Sequence, residues 1–222
     1  MELSILLQSQ ATNTEYLWDL VAASEYLQSE RLKAIATSLV VDHPNIDHSY
    51  KFQMALHHNV AAWFPEPVTY LVVTAPWSDI VPLSKLIPGE AYGILAEAKR
   101  LVTLRRLEIA YNTPFDWSWE CECWQSCEEA WRSSWWGEFA RNLLMPDEGK
   151  ALHGEAAIKA IETVNHIEGM CILCLDTCKT FIRKRDPWKQ SEIREVEGAL
   201  EKLGAFVAER IRVMEEATNA AN

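Results

Sequence analysis

The sequence predicts an all-α fold: an irregular assembly of seven to nine helices with a Trp/Cys-rich loop and little or no sheet. Apolar residues recur at intervals of three and four along most of the chain, which is the period of a helix that buries one face. Glycine is scarce at 8 of 222 residues, and no Asn-Gly or Asp-Gly hairpin dipeptide occurs. Five prolines between Pro65 and Pro88 exclude a strand ladder of any length there.

The first third of the chain predicts three helices. The first spans 12–28, and the second spans 29–41. The second must end before Pro44, because the residue before a proline avoids helical angles. The third spans 47–64. The residues expected to face inward share an apolar side chain at helical spacing: Leu17, Leu20, Val21, Leu32, Ile35, Leu39, Phe52, Leu56, Val60 and Trp63.

The middle and the end of the chain continue the helical pattern. The proline-rich stretch allows only short helices, over 67–74 and 78–86. Pro88 suits the first turn of a long helix that ends near Asn112. Residues 113–130 are predicted to be irregular at first and to lead into a helix that ends at about 144. Two last helices are predicted over 150–184 and 191–216.

The charge and hydropathy of the chain exclude two kinds of partner. The formal net charge is -11, and an acidic surface repels phosphate backbones, so we expect no nucleic-acid binding. No stretch approaches the roughly 18 apolar residues of a membrane span, so we expect no membrane insertion. The N-terminus lacks the basic residues of a signal peptide. We therefore expect an intracellular protein, cytoplasmic or nuclear, with reduced cysteines.

The six cysteines form two triplets, and each has its own spacing. These are Cys121, Cys123 and Cys127, then Cys171, Cys174 and Cys178. A structural zinc ion takes four thiolate or imidazole ligands, commonly as two close pairs. The sequence predicts either no cofactor or one such ion, for which Cys123, Cys127, Cys171 and Cys174 are the candidate ligands. Cys121, His153 and His166 are alternative ligands.

Two other interpretations of the cysteines stay open. On a helix over 150–184, the second triplet has the spacing of a buried stripe, where cysteine packs as a small apolar residue. Disulfide or redox pairing is the third interpretation. A thioredoxin-like site needs a helix N-terminus, and Cys171 is predicted to lie some twenty residues after the start of its helix.

Tryptophan is abundant, at 10 residues, and six of these lie within 20 positions. The six are Trp117, Trp119, Trp124, Trp131, Trp135 and Trp136. Tryptophan is enriched at protein interfaces, so these residues are candidate partner contacts; the alternative is a local core that replaces regular structure. No nucleophile, phosphate-binding or zinc-protease motif occurs, and we expect no enzymatic activity and no catalytic or cofactor-binding residue.

Two patterns carry a resemblance to a known family. The first is Leu17-Trp18-Asp19-Leu20-Val21-Ala22-Ala23-Ser24-Glu25-Tyr26-Leu27-Gln28, followed by Arg31-Leu32-Lys33 and Leu39. It resembles the closing helical pair of a BTB/POZ domain over about thirty residues. The second is the order Cys123, Cys127, Trp135, Trp136, Leu143, Pro146, Cys171 and Cys174. It is similar to the helical region of fungal BTB-domain proteins.

The resemblance implies two parts and a function. Residues 1–44 would be the helical pair, and 45–222 would be the C-terminal helical region with its Cys/Trp-rich segment 113–136. The implied function is a non-enzymatic protein–protein interaction module whose partner is not identified.

The sequence departs from the family in one respect. The family's sheet and dimerising strand precede the helical pair, where this chain has only about a dozen residues, so self-association does not carry over. We expect either a fragment or a helix pair reused without the sheet. The alternative function is a small helical zinc-binding or thiol-redox protein that works through the two cysteine triplets.

Overall fold

The computed structural model describes residues 14–41, 43, 46–140, 154–185 and 187–221, and every regular element within them is helical. Ten α-helices run in chain order through these ranges: α1 Thr14–Tyr26, α2 Glu30–Val41, α3 His48–His57, α4 Pro65–Thr69, α5 Trp77–Ile80, α6 Gly89–Tyr111, α7 Trp124–Ser134, α8 Gly154–Glu162, α9 Ile172–Arg185 and α10 Pro187–Ala221. The predicted all-α class is confirmed, although the described ranges hold ten helices and seven to nine were expected.

Shorter helical turns fill several of the connections. Two are 3₁₀ turns, Ala61–Trp63 and Val81–Lys85. Two are π-helical turns, Tyr70–Thr74 and Trp135–Ala140, and the second continues α7 directly. Within the described ranges, no helix is long and apolar enough to cross a lipid bilayer.

One difference from the predicted elements bears on function. The single helix predicted over 150–184 is two helices, α8 and α9, separated by a turn at Gly169. Gly169 has a φ of +82°, and the Met170 N–H donates to the Ile167 carbonyl at 3.1 Å. Only glycine enters this region of φ at low cost, so the chain turns here although apolar spacing continues across the break.

The chain divides into two compact units. The first comprises Met1–Leu71, Trp77–Ile94 and Leu200–Asn222, and the second comprises Val72–Pro76 and Leu95–Ala199. Helices α6 and α10 each contribute residues to both units. The division at residue 44, which the resemblance implied, stays a prediction.

The first unit contains a buried lysine. Lys51 on α3 is 1 % exposed, and its ammonium donates to the Val41 carbonyl at 3.1 Å and to the Glu66 carboxylate. A buried charge is tolerated only when it is paired and hydrogen-bonded, which both contacts provide. This lysine therefore joins the end of α2 and the start of α4 to α3.

The second unit is built around aromatic rings from α7 and the turn that follows it. The rings of Trp131, Trp135 and Phe139 contact one another, with centroids 5.8 to 6.3 Å apart. Two buried cysteines, Cys127 and Cys174, belong to the same apolar cluster. The core of this unit therefore reaches directly to the cysteines.

The second unit also contains an almost buried ion pair. Arg106 on α6 donates to Glu192 on α10 through Nε at 3.0 Å and Nη2 at 2.7 Å, and Nη2 also donates to the Val73 carbonyl at 2.8 Å. The two side chains are only 11 % and 10 % exposed. Removing one partner from such a pair leaves an uncompensated charge in the interior.

We expect Glu192→Ala to destabilise the protein by about 3 kcal/mol, because Arg106 then stays buried without its counter-ion. Urea denaturation followed by circular dichroism measures the change in the free energy of unfolding. The matched control is Glu209→Ala, which breaks an exposed pair with Arg212 on the same helix and should cost at most about 1 kcal/mol. Equal losses in the two variants would contradict the structural importance of the buried pair.

Candidate metal centre

Four cysteine sulfurs converge in the second unit. The Sγ atoms of Cys121, Cys127, Cys171 and Cys174 all lie within 4.8 Å of one another. Cys121 Sγ is 3.8 Å from Cys127 Sγ and 3.6 Å from Cys171 Sγ. Four sulfurs at the usual zinc–sulfur distance on a tetrahedron are about 3.8 Å apart. The four sulfurs are therefore close enough to one another to hold one metal ion.

The loop before α7 and the first turn of that helix position the first pair. The Cys121 N–H donates to the Ser118 carbonyl at 3.0 Å, which folds the loop back at its end. Cys123 is the N-cap residue of α7, and Cys127 lies in the first turn. The Trp131 indole N–H donates to the Pro114 carbonyl at 2.7 Å and so fastens the loop to the helix.

The Gly169 turn positions the second pair. It places Cys171 immediately before α9, so that Cys174 falls in the first turn of the helix. The Cys174 N–H donates to Cys171 Sγ at 3.4 Å, which is the hydrogen bond that an N-cap side chain normally accepts. The mid-helix position predicted for these two cysteines is therefore wrong, because the helix starts at Ile172.

This correction changes the electrostatics of the site. The N-terminal turns of α7 and α9 both supply cysteines to the cluster, and helix N-termini carry partial positive charge that favours thiolates. A thioredoxin-like site also needs a strand before its helix, and the described ranges contain no strand. The helix ends therefore favour ionised sulfurs without providing a thioredoxin-like context.

In the structure, the fourth cysteine of the close group is Cys121, whereas the sequence suggested Cys123 as the ligand. Cys123 is exposed, with its sulfur 3.6 Å from Cys121 Sγ and 4.0 Å from Cys127 Sγ. It is not a member of the group of four whose sulfurs are mutually close. Spacing alone does not separate these two cysteines, because either can pair with Cys127 across one loop.

The sixth cysteine packs against the loop outside the group of four. Cys178 is buried on α9, one turn beyond Cys174, and its thiol donates to the Asp116 carbonyl at 3.0 Å. It thus holds the loop against α9 as part of a buried stripe. Of the two histidines considered as ligands, His166 is exposed and His153 lies outside the described residues.

The thiols differ in acidity. Burial by itself raises the pKa of Cys121, but hydrogen bonds from Cys174, from the backbone of Cys123 and from Cys171 outweigh it and lower that pKa to about 7. Burial raises the pKa of Cys127 to about 11, and it also raises the pKa of Cys174. In Cys178, burial raises the pKa to about 12. The hydrogen bond with Cys121 raises the pKa of Cys123.

The six tryptophans of the segment divide into two groups. Trp131 and Trp135 are buried, and the Trp135 indole N–H donates to the Ala110 carbonyl at 3.0 Å. The other four are exposed: Trp117, Trp119, Trp124 and Trp136. The structure thus places two of the candidate contact residues in the core and four at the surface.

No protein-family model matches this chain, no curated protein matches it, and no solved structure matches it. Nothing in these comparisons identifies a BTB/POZ domain, so that resemblance stays a prediction. The site is therefore interpreted from its own geometry.

We expect the thiols of the reduced, metal-free protein to react in a fixed order. At neutral pH, Cys121 should be alkylated faster than Cys127, because the thiolate is the nucleophile and the two pKa values are about 7 and about 11. Allowing for the lower nucleophilicity of an acidic thiol, the difference is roughly a hundredfold. Cys174 and Cys178 are buried as Cys127 is, and burial raises the pKa of both thiols, so they should also react more slowly than Cys121.

Timed labelling with iodoacetamide and peptide mass mapping measures each rate. The rate at Cys121 should rise with pH, reach half of its maximum near pH 7 and level off above that point. Equal rates at all six cysteines would contradict the folded arrangement of the site, and labelling of the urea-unfolded chain supplies that reference.

Proposed function

We propose that this protein is a zinc-binding helical domain in which one structural zinc ion ties the loop before α7 to the start of α9. The ligands are Cys121, Cys127, Cys171 and Cys174. One observation carries the proposal: four sulfurs from two separate helix ends lie within 4.8 Å of one another. Spacing of this kind suits a metal that takes soft thiolate ligands in a tetrahedron.

Charge favours a cation at this point. Four thiolates so close together repel one another strongly, and a divalent ion at their centre offsets the repulsion. Backbone N–H groups also face the sulfurs, with the Cys171 N–H donating to Cys127 Sγ at 3.4 Å. Hydrogen bonds to a ligand sulfur stabilise its charged form and orient it, as the partners of metal ligands generally do.

Packing alone explains the arrangement less well. Cysteines that serve only as small apolar residues need not meet in one group, and Cys178 shows the packed alternative within the same chain. Its sulfur hydrogen-bonds to the Asp116 carbonyl, whereas the four proposed ligands face one another. The contrast between Cys178 and its neighbour Cys174 supports separate roles along one helix.

The ion would be structural and not catalytic. Four protein ligands fill a tetrahedral zinc site, whereas catalytic zinc keeps a position open for water or substrate. The loop over 113–123 contains no helix, so it gains the most from a cross-link. Structural zinc binds small domains with an apparent free energy of about 10 kcal/mol or more, which exceeds what is needed to order such a loop.

A second function is supported by a separate observation. Trp117, Trp119, Trp124 and Trp136 are 50 %, 87 %, 37 % and 50 % exposed. Exposed indoles are costly to leave in water and are typical of contact surfaces between proteins. We infer that the zinc-ordered segment presents these side chains to a protein partner, which agrees with the non-enzymatic interaction role predicted from the sequence.

Purified without added metal, the reduced protein should carry one zinc ion per chain in native mass spectrometry. Chelation should remove the ion and reduce the helical signal, because metal binding is coupled to folding of the loop and the helix ends. Cys127→Ser and Cys174→Ser should each lose the zinc. Cys178→Ala and Cys123→Ser are the matched controls and should each keep one ion.

Two results would contradict the proposal. The first is a metal-free protein that is fully folded and gains no thermal stability from added zinc. The second is bound iron, which the same four sulfurs also suit and which visible absorption would reveal. If Cys121→Ser keeps the zinc while Cys123→Ser loses it, the ion is retained but its ligand set is the one that the sequence suggested.

A further inference from the structure

We propose that the exposed indoles beside the metal centre bind a lysine- or arginine-rich segment of a partner protein. Trp117, Trp119 and Trp124 form this surface, which we call the indole face. The proposal rests on the interaction role described above and names the chemistry of its partner. It does not require that the four cysteines hold zinc.

Two rings of the indole face, those of Trp117 and Trp124, belong to a stack. The Phe115 and Trp117 rings are stacked with centroids 6.5 Å apart, and the Trp117 and Trp124 rings are stacked at 5.5 Å. Trp124 is the first residue of α7, and the Trp131–Pro114 hydrogen bond fixes the loop that carries the other rings. A surface held in this way has little ordering entropy to lose on binding.

The segment that carries the face has charged side chains of one sign. Residues 113–131 contain no lysine or arginine, and their acidic members are Asp116, Glu120, Glu122, Glu128 and Glu129. Glu120 and Glu122 flank the loop cysteines and are exposed, as is Glu129. Arg132, the next basic residue along the chain, is already paired with Glu128 at 2.6 Å. Within this segment, the indoles are therefore interspersed with carboxylates and have no basic side chain between them.

Indoles among carboxylates suit cationic side chains. A guanidinium or ammonium over the face of an indole ring is attracted by the quadrupole of the ring. Its N–H groups can donate at the same time to a neighbouring carboxylate, which is the stronger class of hydrogen bond. Trp124 ends the stack and Trp119 is 87 % exposed, so these two rings are the ones open to such a contact.

Other occupants fit the face less well. A second copy of the face would bring like charges together, and this juxtaposition costs several kcal/mol at an interface. A purely apolar segment would bury carboxylates without partners. Nucleic acids and anionic lipid surfaces carry the same sign of charge as the face.

An open groove along the same loop extends the surface for an elongated segment. It has a volume of about 570 Å³ and runs between the loop and α9. The groove is lined by the carboxylates of Asp116 and Asp176 and by the apolar side chains of Leu173 and Phe181. Lys184 also lines it. Two carboxylates and an apolar wall suit a peptide in which basic and apolar residues alternate.

The test uses the full chain and a fluorescein-labelled peptide of about twelve residues in which arginine alternates with glycine and serine. Fluorescence anisotropy should show saturable binding in the micromolar range at about 50 mM salt, weakening at about 300 mM salt because screening reduces the attraction. A peptide of the same length with glutamate in place of arginine should not bind.

Variants locate the site. Trp124→Ala and Trp119→Ala should each weaken binding about tenfold, which corresponds to the loss of one cation–indole contact. The double variant Glu120→Gln/Glu122→Gln should weaken binding and reduce its salt dependence. Trp77→Ala is the matched control, because this residue is 39 % exposed in the other unit of the chain and should leave the affinity unchanged.

Three outcomes would overturn the proposal. The first is that the arginine peptide shows no saturable binding up to about 1 mM. The others are that both tryptophan variants bind this peptide as tightly as the unsubstituted protein does, or that the acidic peptide binds as tightly as the arginine peptide. Self-association that Trp124→Ala abolishes would assign the face to a second copy of the chain. Zinc content measured on the same samples keeps the proposals separate. Peptide binding without zinc would contradict only the metal site, and zinc without peptide binding would contradict only the indole face.

Discussion

The meeting of four sulfurs is the constraint on which the second unit depends. Cys127 and Cys171 are 44 positions apart, yet the N–H of one donates to the sulfur of the other. This contact joins the start of α7 to the start of α9 and encloses the loop that carries the exposed indoles. The aromatic core of Trp131 and Trp135 lies directly behind it. The four sulfurs, the loop and the exposed indoles are therefore parts of one arrangement.

The sequence predicted the helices well where one physical signal dominated. Apolar periodicity placed α2 and α6 within one or two residues of their observed ends. It failed at Gly169, because apolar spacing continues across the turn and hides the break between α8 and α9. A lone glycine within a helical pattern was the available signal, since it marks a place where positive φ costs little.

The residues of the candidate site could be predicted only in part from the sequence. The sequence supplied the candidate cysteines but left open whether the two triplets meet, and the structure brings Cys127, Cys171 and Cys174 together with Cys121. It could not decide between Cys121 and Cys123, because that choice depends on the backbone turn at Ser118. Nor could it separate buried from exposed tryptophans, because burial is set by the neighbouring helices and not by spacing within the segment.

X-ray absorption at the zinc edge, on protein purified without added metal, tests the central claim most directly. The account predicts a full equivalent of zinc with four sulfur neighbours at about 2.3 Å and no nitrogen or oxygen in the shell. Absence of zinc, or a shell with nitrogen, oxygen or fewer sulfurs, would contradict it. Without zinc, the convergence of the four cysteines would be a feature of packing alone, whereas a mixed shell would mean that the proposed ligand set is wrong.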